Sequence, residues 1–303
     1  MPPHAVIIAN PNAGGGRARK SAREADRIFT NLGISSTLYL PPTLPEMLSV
    51  IERIAAESPS VVLACGGDGT VHQVLQATIP AKITTGIIPA GTGNDIARNM
   101  GIPASTSESY LREVASLINQ NHYEWVDASF ITHGSATHWS LGVISAGFDS
   151  AVTERANRMQ FGQGTLRYIS ALLAEIVPFQ LHSFTVEMDG VTYTDPALLI
   201  AIGNGRGYGG GMRICPEASM TDGLLDVTWV GKAPRRTVLR LFPRIYSGRH
   251  IEHELVTTYK VKEVTITSQE SVIYADGERI GPPPVQITLI PRAAKILWKI
   301  DSQ

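Results

Sequence analysis

Two rhythms of apolar and polar positions run along the chain, and they change over near residue 124. In the first part, residues 4–9 (HAVIIA) form a short apolar run that ends in NPNAGGG and leads into helical spacing over 17–32. Residues 36–40 read as a second strand and 44–57 as a second helix. Residues 61–65 (VVLAC) are apolar without interruption, as in a strand buried on both faces of a parallel sheet. GGDGT follows, then a helical segment over 71–78. A fourth strand at 85–88 runs into PAGTGND. This alternation predicts a doubly wound α/β nucleotide-binding domain. Beyond it, strand-like runs at 126–132, 139–145, 183–188, 197–202, 225–230, 254–259, 263–267, 272–275 and 286–290 are punctuated by MDG, TDG and ADG turn signals. That pattern predicts a β-sandwich domain. Helices are expected at 166–177 and 235–246, and a last run at 294–300 is expected to return to the first domain. The domains expected are 1–124 with 291–303, and 125–290.

Composition narrows the class. A hydrophobic share of 43% against a charged share of 17% excludes disorder as the main state. A net charge of −1, from 26 basic and 27 acidic residues, excludes a life on nucleic acid, whose phosphates demand a basic surplus. Cys65 and Cys215 are too few for a disulfide framework and read as buried thiols. The N-terminus lacks a basic leader, and no apolar window reaches the ~18–20 residues of a membrane span. A cytoplasmic chain, peripheral on the inner membrane face at most, is the expectation; a homodimer is left open.

The strongest chemical signal is Gly66, Gly67, Asp68, Gly69 and Thr70, after a buried strand and at the start of a helix. Glycines let backbone approach a ligand closely, and a helix N-terminus offers free N–H groups and a positive dipole end. A carboxylate at Asp68 would repel phosphate unless a cation lay between them, which implies Mg²⁺ with a nucleotide. Two further Gly-rich turns follow strands: Asn10, Pro11, Asn12, Ala13 and Gly14, and the stretch containing Gly91, Thr92 and Asn94. In a doubly wound sheet such loops gather on one edge, where ligands bind. None is a Walker loop or a dinucleotide fingerprint, and the GxGxxG at 205–210 lacks a following helix pattern.

GGDGTVHQV at 66–74, PAGTGNDIAR at 89–98, Asn10-Pro11, Val126-Asp127, GNGRGYGGGMRICPEASMTDGLLDV at 203–227 and YADGE at 274–278 together resemble the diacylglycerol kinase catalytic family, especially its soluble bacterial lipid kinases, and more distantly sphingosine kinases. The resemblance covers nearly the whole chain. It implies an ATP- and Mg²⁺-dependent kinase acting on a lipid hydroxyl at a membrane surface. ATP phosphates would lie against 67–73, engaging Val71, His72 and Gln73, with help from 10–14 and Thr92. Asp68 would act through Mg²⁺, Asp127 would support the carboxylate network, Asp276 would be the general base and Glu278 its assistant. Read from the residues alone, 275–278 is equally a hairpin turn, because Asp-Gly suits type I′. A structural Mg²⁺ is implied at the Asp222 carboxylate and the carbonyls of Ser219 and Leu224. The sequence departs from the family at Thr221, where relatives carry a second Asp, and at 40–42, which lacks a polar residue for the base. An NAD kinase, which shares GGDG, and a catalytically silent relative are the alternatives.

Two features stand apart. His250 and His253 have helix-compatible spacing but no third ligand, and surface histidines are expected. From Lys232 to Arg249 there are six basic residues and no acidic one. Arg236, Arg240 and Arg244 recur every four residues, with Leu239, Phe242 and Ile245 expected on an opposite apolar face. This helix is either a solvated face or a surface for anionic lipid.

Overall fold

The computed structural model describes residues 3–57, 59–158, 182–267 and 271–299. The chain divides into two compact units, Met1–Val126 with Arg292–Gln303, and Asp127–Pro291.

The first unit contains β1 (His4–Ala9), α1 (Arg17–Asn31), β2 (Ser35–Tyr39), α2 (Leu44–Glu57), β3 (Val61–Gly66), α3 (Asp68–Thr78), β4 (Thr84–Pro89), α4 (Asp95–Asn99) and α5 (Glu108–Asn119). Its sheet is parallel, in the order β4-β3-β1-β2. Every residue of β3 and β4 is buried, which explains the unbroken apolar run of β3; in β4 the buried Thr85 hydroxyl bonds to Thr78 at 2.7 Å. Each fully buried Val, Leu or Ile contributes about 1.5–3 kcal/mol. Helix α1 turns Ala18, Ala22, Ala25, Ile28 and Phe29 inward at helical spacing. Helix α5, unforeseen from the sequence, is capped by Ser107, whose side chain accepts from the Tyr110 N–H at 3.2 Å. The pairs Ala9–Cys65 and Gly66–Pro89 put the ends of β1, β3 and β4 level, so the loops after them leave one edge. Because β1 pairs with β2 on one side and β3 on the other, the chain changes winding direction there. That is where open α/β sheets bind ligands.

The second unit takes up β5 (Glu124–His133) and continues with β6 (Ala136–Ser140), β7 (Val143–Gly147), α6 (Phe148–Arg158), β8 (His182–Met188), β9 (Val191–Gly203), β10 (Leu225–Gly231), α7 (Arg235–Ser247), β11 (Val256–Val261), β12 (Glu263–Ile266), β13 (Ile273–Ala275), β14 (Glu278–Gly281) and β15 (Val285–Ile296). Its strands pair in the order β14-β13-β7-β9-β8-β12-β15, with β10 joining β9 to β11. The long strand β9 alternates: Ile200 and Ile202 enter the sandwich core with Ile144, Val227 and Phe184. Leu199 and Ala201 face a second cluster, against which Val238, Phe242 and Ile245 of α7 pack. Both cysteines are buried, and burial pushes each thiol up to about 12.

Three expectations change. The single strand expected at 139–145 is two, because the chain turns at Leu141-Gly142 between β6 and β7. The run at 286–290 and the first residues of the run expected at 294–300 belong to one strand, β15, which passes through Arg292 at φ +51° and ends at Ile296; 297–299 are outside the strand and 300 lies outside the described residues. The closing residues of β15 lie in the first unit, where Ile296 pairs in parallel with Thr85. Leu239 is 48% exposed, so it is not on the inner face of α7; Val238, Leu241, Phe242 and Ile245 are. The helix expected at 166–177 lies outside the described residues.

Candidate active site

In the first unit the three Gly-rich loops form one interlocked edge. Ala90 and Gly91 donate their N–H groups to the Gly66 carbonyl at 2.8 and 3.1 Å, joining GGDGT to PAGTGND. Asp68 opens α3, and its Oδ1 accepts from the Ile96 N–H at 2.9 Å, so one carboxylate caps the neighbouring α4. Arg17, which no motif pointed to, donates Nη2 to the Gly91 carbonyl at 2.7 Å and Nε to the Gly14 carbonyl at 2.9 Å. Two glycines are required by this closeness. A Cβ on Gly91 would overlap the Gly67 Cα, and one on Gly14, at φ +59°, would overlap the Ala90 carbonyl oxygen. The edge presents first-turn N–H groups of α3 beside a guanidinium, which suits a phosphate.

The individual candidates divide by what their side chains do. Asn10 accepts the Asn12 N–H on Oδ1 at 3.0 Å, an Asx turn that shapes 10–14. Asn94 is buried in a left-handed conformation; its amide accepts the Gly91 N–H and donates to the Ala104 carbonyl, so it braces its own loop. Thr70, Val71 and His72 are buried, and the Thr70 and Val71 N–H groups donate to the Gly67 carbonyl, whereas Gln73 is half-buried and Thr92 exposed. Asp95, which the sequence reading passed over, shares the Gly93 backbone with Asp68: the Oδ2 atoms of both carboxylates border that glycine. Two carboxylates beside a phosphate-type loop suit a hard cation such as Mg²⁺.

In the second unit Asp276 and Gly277 turn the chain from β13 to β14 with φ of +53° and +82°, and Ala275 pairs with Glu278 across the turn. Positive φ at both central residues is the type I′ geometry that Asp-Gly favours. The turn also presents the carboxylate: Asp276 Oδ1 accepts from the Ser140 hydroxyl and from the Gly142 N–H, both at 2.9 Å. The hairpin-turn reading of YADGE is thus met, and the same turn holds the Asp276 carboxylate in place. Behind this carboxylate stands Asn204, fully buried. Its Nδ2 donates to the carbonyls of Asp127 at 2.8 Å and Leu141 at 3.1 Å, and its N–H donates to the Gly142 carbonyl at 3.0 Å. Asp127 is buried as well; its Oδ2 accepts the Gly223 N–H at 2.8 Å, and its own N–H donates to the Met220 carbonyl. The GNG and TDG segments are thus tied through Asp127 and Asn204 to the Leu141-Gly142 turn that holds Asp276. Ser140 and Asn204 are the positions sequence reasoning missed here. Asn204 sat inside a quoted motif, while Ser140 carried no signal.

Around Asp222 the structure supplies one carboxylate. Its Oδ1 accepts the Leu224 N–H at 3.1 Å, and its Oδ2 lies 3.4 Å from Lys260 Nζ, which also meets Asp226 at 2.9 Å. Desolvation raises the Asp226 carboxyl above its ordinary range against the pull of Lys260. Burial would lower the Lys260 ammonium, but Asp226 and Asp222 hold it up. Among the described residues no group of three His, Cys, Asp or Glu side chains could hold a metal, so a Mg²⁺ at Ser219, Asp222 and Leu224 would depend on backbone carbonyls and would compete with Lys260.

A small apolar cavity, open at its mouth, lies beneath α7, lined by residues including Phe148, Leu198, Tyr208, Met212, Leu241 and Phe242. His250 lines it too. Contrary to the expectation of surface histidines, His250 is buried, because it ends the turn after α7 and packs inward. Its Nε2 contacts the Ile214 carbonyl at 3.0 Å, and its Nδ1 has no partner among the described residues. Burial lowers its pKa below the ordinary 6.5, and the Ile214 contact offsets only part of that.

Residues 4–131 match the diacylglycerol kinase catalytic domain. Residues 142–298 match the YegS C-terminal NAD kinase beta sandwich-like domain. The diacylglycerol kinase of Mycobacterium tuberculosis is 35% identical over 294 residues, 96% of this chain and 94% of that protein. The YegS-like probable lipid kinase of Yersinia enterocolitica is 25% identical over 296 residues, 96% of this chain and 95% of that one. Among solved structures, a diacylglycerol kinase from Bacillus anthracis has a TM-score of 0.70 at 19% identity, covering 98% of this chain and 97% of that one, which speaks to the fold. With a match over each part and full-length identity to a relative, the chain belongs to the diacylglycerol kinase catalytic family, in its branch of YegS-like lipid kinases.

Proposed function

We propose that the chain transfers the γ-phosphate of ATP to the free hydroxyl of diacylglycerol or a closely related lipid alcohol. The reading rests above all on Asp276, a carboxylate fixed by two donors at the tip of a tight hairpin. In this reading Asp276 accepts the proton of the lipid hydroxyl, assisted by Glu278. The lipid oxygen forms a bond to the γ-phosphorus, the bond to the β,γ-bridging oxygen breaks, and ADP leaves. The N–H groups opening α3 bind the phosphates, and Arg17 keeps the 10–14 and 90–94 loops closed around them. Mg²⁺, accompanying the nucleotide at Asp68 and Asp95, would neutralise phosphate charge. Phosphoryl transfer asks mainly for such positioning and charge compensation.

The apolar cavity beneath α7 supports a lipid acceptor, because its wall is almost wholly apolar and suits a hydrocarbon tail. Asp127 supports catalysis in this scheme through the Asn204 link and does not touch substrate. The test is product identification. Labelled ATP is supplied with diacylglycerol, a sphingoid base and NAD in separate reactions. The expected product is phosphatidic acid from diacylglycerol. Label appearing in NADP, with no lipid labelled, would overturn the assignment.

A further inference from the structure

Helix α7 has two faces, an inner one packed on the second unit's apolar cluster and an outer one that is exposed. Val238, Leu241, Phe242 and Ile245 line the apolar cavity. On the outer side Arg235, Arg236, Leu239, Arg240, Pro243, Arg244 and Tyr246 are exposed, Leu239 at 48% and Tyr246 at 37%. Residues three and four apart share a helical face, so Leu239, Pro243 and Tyr246 form an apolar ridge with Arg236, Arg240 and Arg244 beside it. The six basic residues from Lys232 to Arg249 have no acidic neighbour within that stretch, and removing them from a chain of net charge −1 leaves −7. Four of the six, Arg235, Arg236, Arg240 and Arg244, lie on α7, which carries no acidic residue. Arg236, Arg240 and Arg244 make no ion pair among the described residues, whereas the exposed helices α1 and α5 carry internal pairs, Glu24–Arg27 and Glu108–Arg112.

We propose that this outer face of α7 docks on an anionic lipid bilayer, a proposal that rests on the lipid-kinase reading. Arginines flanking an exposed Leu and Tyr fit the headgroup region, where guanidinium groups meet lipid phosphates and the apolar ridge enters the acyl boundary. Nucleic acid or an acidic protein surface would be met by the charge alone and would leave the ridge unexplained. The inner face of the same helix walls the tail cavity, so a docked helix brings that cavity to the bilayer surface.

The test compares the full chain with an R236Q/R240Q/R244Q variant and, separately, L239E. Both change exposed side chains and spare the core. Co-sedimentation uses vesicles of phosphatidylcholine with phosphatidylglycerol, and of phosphatidylcholine alone. Wild type should bind the anionic vesicles only, and less as salt rises. The triple variant should bind on the order of 100-fold more weakly, at about 1 kcal/mol per arginine, and L239E should also bind more weakly. Turnover of a short-chain, soluble diacylglycerol should be unchanged in both variants. Equal binding to neutral vesicles, binding that ignores the triple variant, or capture by heparin with no vesicle binding would each overturn the docking proposal. Loss of all lipid phosphorylation while α7-dependent vesicle binding persists would instead refute the kinase reading and leave the docking face intact.

Discussion

Asp276 combines a positive φ, which most side chains avoid, with a carboxylate anchored to a strand junction 134–136 residues earlier in the chain. The turn was legible because Asp-Gly between apolar runs has few other geometries. Its anchors were not, because Ser140 reaches Asp276 only through the paired strands, and local pattern carries no record of that. Ser140→Ala removes one of the donors that orient the carboxylate. Hydrogen bonds to charged groups are worth about 1.5–3 kcal/mol, so kcat should fall at least about tenfold while the KM for ATP stays put. A variant with unchanged kcat would leave Ser140 a packing residue. His250 carries the pH-dependent prediction. Its folded pKa lies below the ordinary 6.5, so the unfolded chain binds more protons in that interval. The contribution of neutral His250 to stability is complete above 6.5 and is lost as pH falls through the folded value. Thermal unfolding should therefore show wild type losing stability below pH 6.5 more steeply than His250→Gln; parallel curves would contradict the assignment.

At the scale of elements, the loops after β1, β3 and β4 act as one assembly because glycines let them touch. Gly91→Ala forces a Cβ onto the Gly67 Cα and must push the GGDGT and PAGTGND loops apart. The expected result, by calorimetry with ATP, is weaker nucleotide binding by tenfold or more in a protein whose circular dichroism is unchanged. Unaltered affinity would detach these loops from the nucleotide. The 219–224 turn is a contrasting case, because Lys260 already balances its carboxylate. Asp222→Ala loses the Leu224 cap and the ion pair, which should cost about 1 kcal/mol, equally in EDTA and in Mg²⁺. A loss seen only in Mg²⁺ would restore the metal there. Which elements could be read from sequence follows from what surrounds them. The strands β1, β3 and β4 are buried, and their apolar runs declared them. The β6–β7 break at Leu141-Gly142 was hidden inside an apolar run, and β15 looked interrupted by Pro291-Arg292 although Arg292 lets it continue. Helix α5 had its Ser107 cap and an apolar stripe at Tyr110, Leu111, Val114 and Ile118, a signal that was present and overlooked.

At the scale of the whole molecule, the two rhythms of the sequence correspond to two units with different tasks: a parallel sheet whose loops suit phosphate, and a strand-rich unit holding the candidate base and an apolar cavity. Fold class was readable because each unit repeats one period many times. The acceptor's identity was not, since the cavity assembles from Phe148, Leu198, Met212 and Leu241, which no local motif unites. No helix among the described residues is long and apolar enough to cross a membrane. The central claim is that Asp276 takes the acceptor's proton. Asp276→Asn keeps the turn, since Asn-Gly suits the same type I′ geometry, and removes the proton acceptor. The deciding measurement is kcat for diacylglycerol phosphorylation together with ATP affinity, on one preparation of this variant and wild type. The account predicts unchanged ATP affinity and a kcat lower by about 10²–10⁴; a folded Asp276→Asn variant with wild-type kcat would contradict it.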